Sequence, residues 1–144
     1  MIYSNSFSIE VIEECYPSIS GINSGYSRII KSSSLPYTVI SSGYATTTRS
    51  STCTLSYALY NSDGTLYTGT SPLSFDTTTG ILKITSESIF SLSLYIKATS
   101  SYSTSINSKQ STVFTVSQTC SGYCSPSVTG ILSSYNLGVI SSGG

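Results

Sequence analysis

Residues 53–64, Cys-Thr-Leu-Ser-Tyr-Ala-Leu-Tyr-Asn-Ser-Asp-Gly, place apolar or aromatic side chains at alternate positions and end in Asp-Gly. A period of two indicates a β-strand with one buried and one solvated face. Asp63-Gly64 is a dipeptide that favours a tight hairpin turn. The stretch therefore predicts a strand and turn of an antiparallel sheet.

The same alternation recurs along the chain. The other segments predicted as strands are 7–11, 37–40, 73–75, 81–84, 92–96 and 113–116. Asp76 to Gly80 supplies a second, slightly longer turn with glycine for the left-handed position. Short strands separated by turns at fairly regular intervals favour a sandwich. We therefore predict an all-β, immunoglobulin-like or cadherin-like antiparallel β-sandwich.

The composition points away from polyanion binding. Charged residues make up 8% of the chain, and six basic residues balance six acidic ones. Nothing in this balance attracts nucleic acid or an anionic membrane surface, so we expect neither partner. No run approaches the roughly 20 apolar residues of a membrane span. A net charge of zero promotes association between copies, which indicates self-assembly or a solubilising glycan coat.

The sequence lacks the side chains of common catalytic sites. Histidine is absent, so a Ser or Cys relay through imidazole is not available. Asp63 and Asp76 lie in segments predicted as turns, and Glu10, Glu13 and Glu14 lie in or beside an N-terminal strand. We expect these five carboxylates to stabilise turns or to face solvent rather than to catalyse a reaction. We predict no enzyme activity, no catalytic residues, no metal ligands and no cofactor.

Four cysteines indicate disulfides and an oxidising, extracellular or cell-surface location. They are Cys15, Cys53, Cys120 and Cys124, and neither histidine nor a second close pair completes a zinc site. Three pairings are possible, and sequence alone does not choose among them. The pairing that we favour joins Cys15 to Cys53 and Cys120 to Cys124.

An internal repeat is the most informative feature of the sequence. Residues 15–26 and residues 124–135 share Cys, Pro, Ser, Gly, Ile, Ser and Tyr at the same spacing. Just upstream, residues 9–15 align with residues 114–120, an apolar alternation that runs into a cysteine. The spacing of about 105 residues is close to the length of one immunoglobulin-like domain.

The repeat predicts three parts. Residues 1–15 form a linker or donor strand that ends a preceding repeat, residues 16–120 form the sandwich, and residues 121–144 begin a following repeat. Candidates for strands shared between units, by addition to a neighbouring sheet edge, are Phe7, Ile9, Val11, Val128, Ile131 and Val139. The partners would be copies of the same unit, either as separate chains in a head-to-tail polymer or as domains of one polypeptide.

Three segments together resemble a known family. Residues 55–65, followed by Pro72 to Leu82 and by Leu94-Tyr95-Ile96-Lys97-Ala98-Thr99, are similar to dystroglycan-type cadherin-like and immunoglobulin-like repeats of surface proteins. The resemblance covers roughly residues 52–118 and implies a sandwich core and a turn rather than a site. The acidic clusters of calcium-binding cadherins are missing, so we do not expect this chain to bind calcium.

These observations predict a structural subunit or tandem repeat of an extracellular filament or cell-surface stalk. The alternative is a cadherin-like adhesion or glycan-binding module, since tyrosine rings on strand faces can line a carbohydrate site. Candidates for O-linked sugars lie in polar stretches expected to be loops, at Ser32, Ser33, Thr46, Thr47, Thr48, Thr77 and Thr78.

Overall fold

The structure, a computed structural model, describes residues 5–6 and 14–121. The described residues form ten strands and no helix. The strands are β1 (Pro17–Ile19), β2 (Gly25–Ile29), β3 (Tyr37–Ile40), β4 (Ala45–Thr47), β5 (Thr54–Asn61), β6 (Leu73–Phe75), β7 (Leu82–Ile84), β8 (Phe90–Tyr102), β9 (Ser105–Gln110) and β10 (Phe114–Thr119).

The strands assemble into two main sheets. One has the order β2-β10-β8-β5, with β9 also paired to β8, and the other has the order β3-β7-β6. All pairs are antiparallel except β2 with β10, which run parallel. A short antiparallel pair, β1 with β4, forms a third, two-stranded sheet. This arrangement confirms the predicted all-β sandwich, with two facing and mainly antiparallel sheets as in immunoglobulin-like domains.

Strand β8 organises the core. Leu94, Ile96 and Ala98 are fully buried, while the residues between them are half-buried on the other face. They meet Phe114 and Val116 of β10, and the same cluster includes residues of the facing sheet, among them Leu73, Leu82 and Ile84. The apolar residues that alternate in the sequence are therefore the residues that fill the space between the two sheets.

A bulge divides the last strand in two. Between the pairs Lys97 with Gln110 and Leu94 with Phe114, residues 95–96 of β8 face residues 111–113. The amide of Ser111 donates to the Ile96 carbonyl at 2.8 Å, and the Ser111 hydroxyl accepts from the Ile96 amide at 3.0 Å. The bulge changes the direction of the chain, so that β9 pairs with the second half of β8 while β10 pairs with its first half and with β2.

Both predicted turns are present. The Asp63 carboxylate accepts hydrogen bonds from the hydroxyl and amide of Thr65, which lower the pKa of Asp63. The Asp76 carboxylate accepts from the amides of Thr78 and Thr79, which likewise lowers the pKa of Asp76. Gly80 ends the second turn at a φ of +76° and lies under Tyr44, whose hydroxyl donates to the Gly80 carbonyl at 2.9 Å.

We expect Gly80→Ala to destabilise the fold more than Gly64→Ala. Both glycines have positive φ, so alanine costs about 1 kcal/mol or more in backbone strain at either site. A methyl group at residue 80 would also collide with the Tyr44 hydroxyl and approach the Tyr57 ring, whereas a methyl at residue 64 meets nothing within 4 Å. Overpacking adds about 1–3 kcal/mol at residue 80 alone. Urea unfolding of both variants measures the difference, and equal losses would contradict the assigned contact.

Candidate functional site

The segment 14–121 begins and ends at opposite poles of the sandwich. The Cys15 carbonyl accepts a hydrogen bond from the side chain of Asn107 on β9, and β9 pairs with the last residues of β8. At the other end, Gln118 of β10 pairs with Phe90, the first residue of β8. Because β8 spans thirteen residues, the two poles lie about 40 Å apart. We call the end at residues 14–17 the upstream pole and the end at residues 119–121 the downstream pole.

A disulfide closes the upstream pole. Cys15 and Cys53 are bonded with a Cα–Cα distance of 5.8 Å, which confirms the predicted pairing. Cys15 is fully buried, and its amide donates to the Ser105 hydroxyl at 3.2 Å while its carbonyl accepts from the Asn107 amide at 2.8 Å. The disulfide therefore fixes Cys15 to the start of β5, and the two hydrogen bonds fix it to β9. Cys120 is also disulfide-bonded, and its predicted partner Cys124 lies outside the described residues.

Glu14 and Tyr16 surround this disulfide with hydrogen bonds. The Tyr16 hydroxyl donates to the Glu14 carboxylate at 2.6 Å, and this bond raises the pKa of Tyr16. Thr48 donates through its hydroxyl to the Glu14 carbonyl at 3.1 Å and accepts from the Tyr16 amide at 2.9 Å. The segment just before β1 is thus held against β4 by main-chain and side-chain bonds.

An arginine is buried at the downstream pole. Arg28 on β2 is 4% exposed, and its guanidinium makes a bidentate pair with the Glu87 carboxylate, with both N–O distances at 3.0 Å. It also donates to the hydroxyl and carbonyl of Ser33, and its guanidinium carbon lies 5.7 Å from the centre of the Tyr37 ring. The bidentate bond lowers the pKa of Glu87 and raises the pKa of Arg28.

Gln118 completes the group that we call the arginine clasp, composed of Arg28, Ser33, Glu87 and Gln118. Its side chain is fully buried, and its carbonyl oxygen accepts from the Arg28 guanidinium. Its amide nitrogen donates to the carbonyls of Ser86 and Ser88 at 2.8 and 2.7 Å. Arg28 and Gln118 are register partners on β2 and β10, so the clasp ties the last strand to its neighbour. Buried polar groups are tolerated when they are satisfied in this way.

Sequence reasoning missed this cluster. Neither Arg28 nor Glu87 is among the residues predicted from the sequence to have a role. An arginine at an inward position of the pattern Tyr26, Arg28, Ile30 was the available signal, because an ion in a core demands a partner.

A polar groove lies between β1–β2 and the segment that joins β3 to β4. Its cavity of about 390 Å³ is lined by serine, asparagine and tyrosine residues together with Val39, Ile40 and two glycines, and by no charged residue. The lining residues include Ser20, Asn23, Tyr26, Ser42 and Tyr44. The Tyr26 hydroxyl accepts from the Asn23 amide at 2.8 Å, so the ring orientation is fixed.

The candidates for O-linked sugars differ in their surroundings. Thr46 and Thr47 lie on strand β4 rather than in a loop, and Thr47 bonds through its hydroxyl to the buried Ser100. Ser33 bonds to Arg28 and Thr48 bonds to Glu14. Ser32, Thr77 and Thr78 are exposed in turns. Modification at any of them remains a prediction.

The six candidates for shared strands, Phe7, Ile9, Val11, Val128, Ile131 and Val139, lie outside the described residues. In the described part of the chain, no group of three or more His, Cys, Asp or Glu side chains could hold a metal ion. Within residues 5–6 and 14–121 there is also no helix with the length and apolar character needed to span a bilayer.

Fold and poles together define an immunoglobulin-like β-sandwich in which residues 14 and 121 lie at opposite poles. No family model and no curated protein matches the chain. Among solved structures, Drosophila N-cadherin EC1-4 is similar, with 18% sequence identity and a TM-score of 0.46. The match covers 72% of this chain and 24% of that one, so the matched part is about a quarter of the N-cadherin fragment.

Replacing both Cys15 and Cys53 by serine should lower the free energy of unfolding by about 2–4 kcal/mol, because the unfolded chain gains the freedom of the opened loop. Urea unfolding with and without a reducing agent measures this loss. The reductant should lower the stability of the wild type toward that of the double variant and affect the variant much less. A double variant as stable as the wild type would contradict a structural role for this disulfide.

The arginine clasp should make stability depend on acid pH. The pKa of Glu87 in the folded state lies below its ordinary value of about 4.5, so the stability that its charged form contributes is fully present above pH 4.5. This stability is lost as the pH falls through the folded-state pKa. Glu87→Gln should therefore be less stable than the wild type at pH 7, and the difference should shrink toward pH 3. Lys109→Gln, at an exposed position on β9, is the control, and its difference from wild type should not change over this window. A Glu87→Gln deficit that persists unchanged at pH 3 would disprove the ionic contribution.

Proposed function

We propose that this chain is a structural module of an extracellular filament or cell-surface stalk, in which copies of the module are joined end to end. One observation carries the proposal, namely the exit of the described chain at opposite poles of the sandwich. A chain that enters at one end and leaves at the other places successive modules in a row rather than folding them back. The Cys15–Cys53 disulfide agrees with an oxidising compartment outside the cell.

The internal repeat supports the same arrangement. Residues 114–120, which align with residues 9–15, form β10 and the residue after it. By this alignment, residues 9–14 correspond to a closing strand of a preceding module, and Glu13 takes the position of Gln118. A carboxylate there would offer an arginine the acceptor that the Gln118 carbonyl offers Arg28.

The described sandwich supplies its own closing strand, because β10 pairs with both β2 and β8. Residues 14–121 therefore do not depend on a donated strand at this position. This favours, within the proposal, tandem modules of one polypeptide over separate chains linked by strand complementation. Strand sharing then concerns residues 7–13, which would close the module before this one.

A second candidate function is glycan binding. The polar groove has uncharged hydroxyl and amide groups beside the Tyr26 ring, which is the chemistry that neutral sugars require. A sugar-binding module would work as a single globule or as one part of an adhesion protein.

Electron microscopy of the native assembly tests the proposal. We expect filaments with an axial repeat of about 4 nm, since β8 runs the length of one module. A non-reducing denaturing gel of the same material should show one long chain if the modules are in tandem and a ladder or monomer if they are separate chains. Dispersed single globules would overturn the filament proposal, and titration of such globules with neutral oligosaccharides would then test the groove.

A further inference from the structure

Two tyrosines stand side by side on the outer face of the five-stranded sheet. Tyr60 of β5 and Tyr95 of β8 are register partners in the antiparallel ladder. Their neighbours along the strands, Leu59 in β5 and Leu94 and Ile96 in β8, are fully buried in the core. Both tyrosine side chains therefore leave the sheet on the face away from the core. Their rings are stacked, with centroids 5.2 Å apart and planes inclined by 7°.

The phenol groups of this pair are open to solvent. Among residues 5–6 and 14–121, neither hydroxyl has a hydrogen-bond partner, and no buried side-chain oxygen or nitrogen lacks one, so both hydroxyls reach water. A second tyrosine pair, Tyr44 with Tyr57, differs in these respects. Its rings meet at 62°, and Tyr44 is buried with its hydroxyl bonded to the Gly80 carbonyl. Packing of two rings across a ladder stabilises a sheet, but it does not require free hydroxyls.

The composition directs one-electron oxidants to tyrosine. The chain has 12 tyrosines, no tryptophan and a single methionine, Met1. Within the part of the chain that the structure describes, every cysteine is in a disulfide. Thiols and indoles, the side chains that compete best with phenols for such an oxidant, are therefore missing there. An oxidant that reaches the sandwich reacts with its solvent-exposed phenols.

We propose that Tyr60 and Tyr95 are a site of oxidative cross-linking, at which a peroxidase with hydrogen peroxide joins the two rings by a carbon–carbon bond. Each phenol gives up one electron and its hydroxyl proton and becomes a phenoxyl radical, whose unpaired electron is shared with the ring carbons ortho to the oxygen. One ortho carbon of each ring forms the new bond, and the proton on each of these carbons moves through solvent to the oxygen and restores the phenol. The two electrons and two protons removed reduce one hydrogen peroxide to two waters. Because the rings are already stacked, the two radicals meet without diffusion.

The new bond extends a covalent path through the sandwich. The disulfide already attaches Cys15, at the upstream pole, to Cys53 at the start of β5. A bond between Tyr60 and Tyr95 attaches the other end of β5 to β8, so these two strands stay joined even after the hydrogen bonds of their ladder break. The site lies within one module and needs no second copy. The inference therefore goes beyond the proposed function and does not rest on it.

Peptide mapping of the oxidised full-length chain tests the proposal. The folded chain is treated with a haem peroxidase and hydrogen peroxide at several protein concentrations, then reduced, alkylated and digested with trypsin. Cleavage after lysine and arginine places Tyr60 in peptide 50–83 and Tyr95, as its only tyrosine, in peptide 84–97. We expect mass spectrometry to find these two peptides linked, with the sum of their masses less two hydrogen atoms. The yield should not depend on protein concentration, because both rings belong to one chain.

Phenylalanine variants separate the phenol chemistry from the packing. Tyr60→Phe and Tyr95→Phe keep two stacked rings but leave one of them unable to form a phenoxyl radical, so each should abolish the linked peptide. Tyr57→Phe is the matched control and should leave the yield unchanged, because residue 57 is in the same strand and the same peptide but pairs with the buried Ala98 and faces the core. After oxidation and reduction of the disulfides, the midpoint of urea unfolding should rise in the wild type and in Tyr57→Phe alone.

Three results would overturn the proposal. The first is an oxidised wild type in which peptides 50–83 and 84–97 remain unlinked. The second is a link that persists in Tyr60→Phe, which would assign the coupling to another tyrosine of peptide 50–83. The third is a link whose yield rises in proportion to protein concentration, which would show that the rings of different copies couple.

Discussion

Strand β8 is the element on which the rest of the structure depends. Its inward residues Leu94, Ile96 and Ala98 are shielded completely from solvent, and its two edges pair with β5 on one side and with β9 and β10 on the other. A strand of this length, hydrogen-bonded on both edges, sets the length of the module and the register of its neighbours. Because the chain reaches one end of β8 through Cys15 and leaves beside the other through β10, the same strand also sets the distance between the points at which residues 14–121 begin and end.

The two poles are stabilised by different chemistry. At the upstream pole the Cys15–Cys53 bond fixes the chain, and at the downstream pole, beside the disulfide-bonded Cys120, the ion pair of the buried Arg28 with the exposed Glu87 does so with its hydrogen bonds. The pair adds less net stability than its contacts suggest, since the buried Arg28 loses its hydration. What it does provide is geometry, because a guanidinium that must satisfy Glu87, Gln118 and Ser33 at once accepts very few strand registers.

The sequence predicted the parts of the fold in which side-chain alternation is strong. Tyr37–Ile40 and Leu73–Phe75 match the predicted strands, and both Asp-containing turns are where they were expected. Four strands were missed, namely β1, β2, β4 and β9, because their Ser, Thr, Asn and Lys residues give little apolar contrast. In β2 an inward position is occupied by Arg28, so a search for apolar residues at every second position does not detect this strand. The arginine clasp joins residues that are 59 and 90 positions apart in the chain, so no local signal brings them together.

The Cys15–Cys53 bond has a mechanical consequence. When tension is applied to the chain at both poles, the force enters at Cys15, crosses the sulfur atoms to Cys53 and passes directly into β5. Residues 16–52, which contain β1 to β4, form a closed loop outside this path and cannot be drawn out even after the sandwich has opened. The load falls instead on the ladders that join β5, β8 and β10, whose hydrogen bonds lie across the direction of pull and resist it together. Reduction of one bond would therefore lengthen each unfolded module by roughly 13 nm of chain, at about 3.5 Å per residue over a separation of 38 residues.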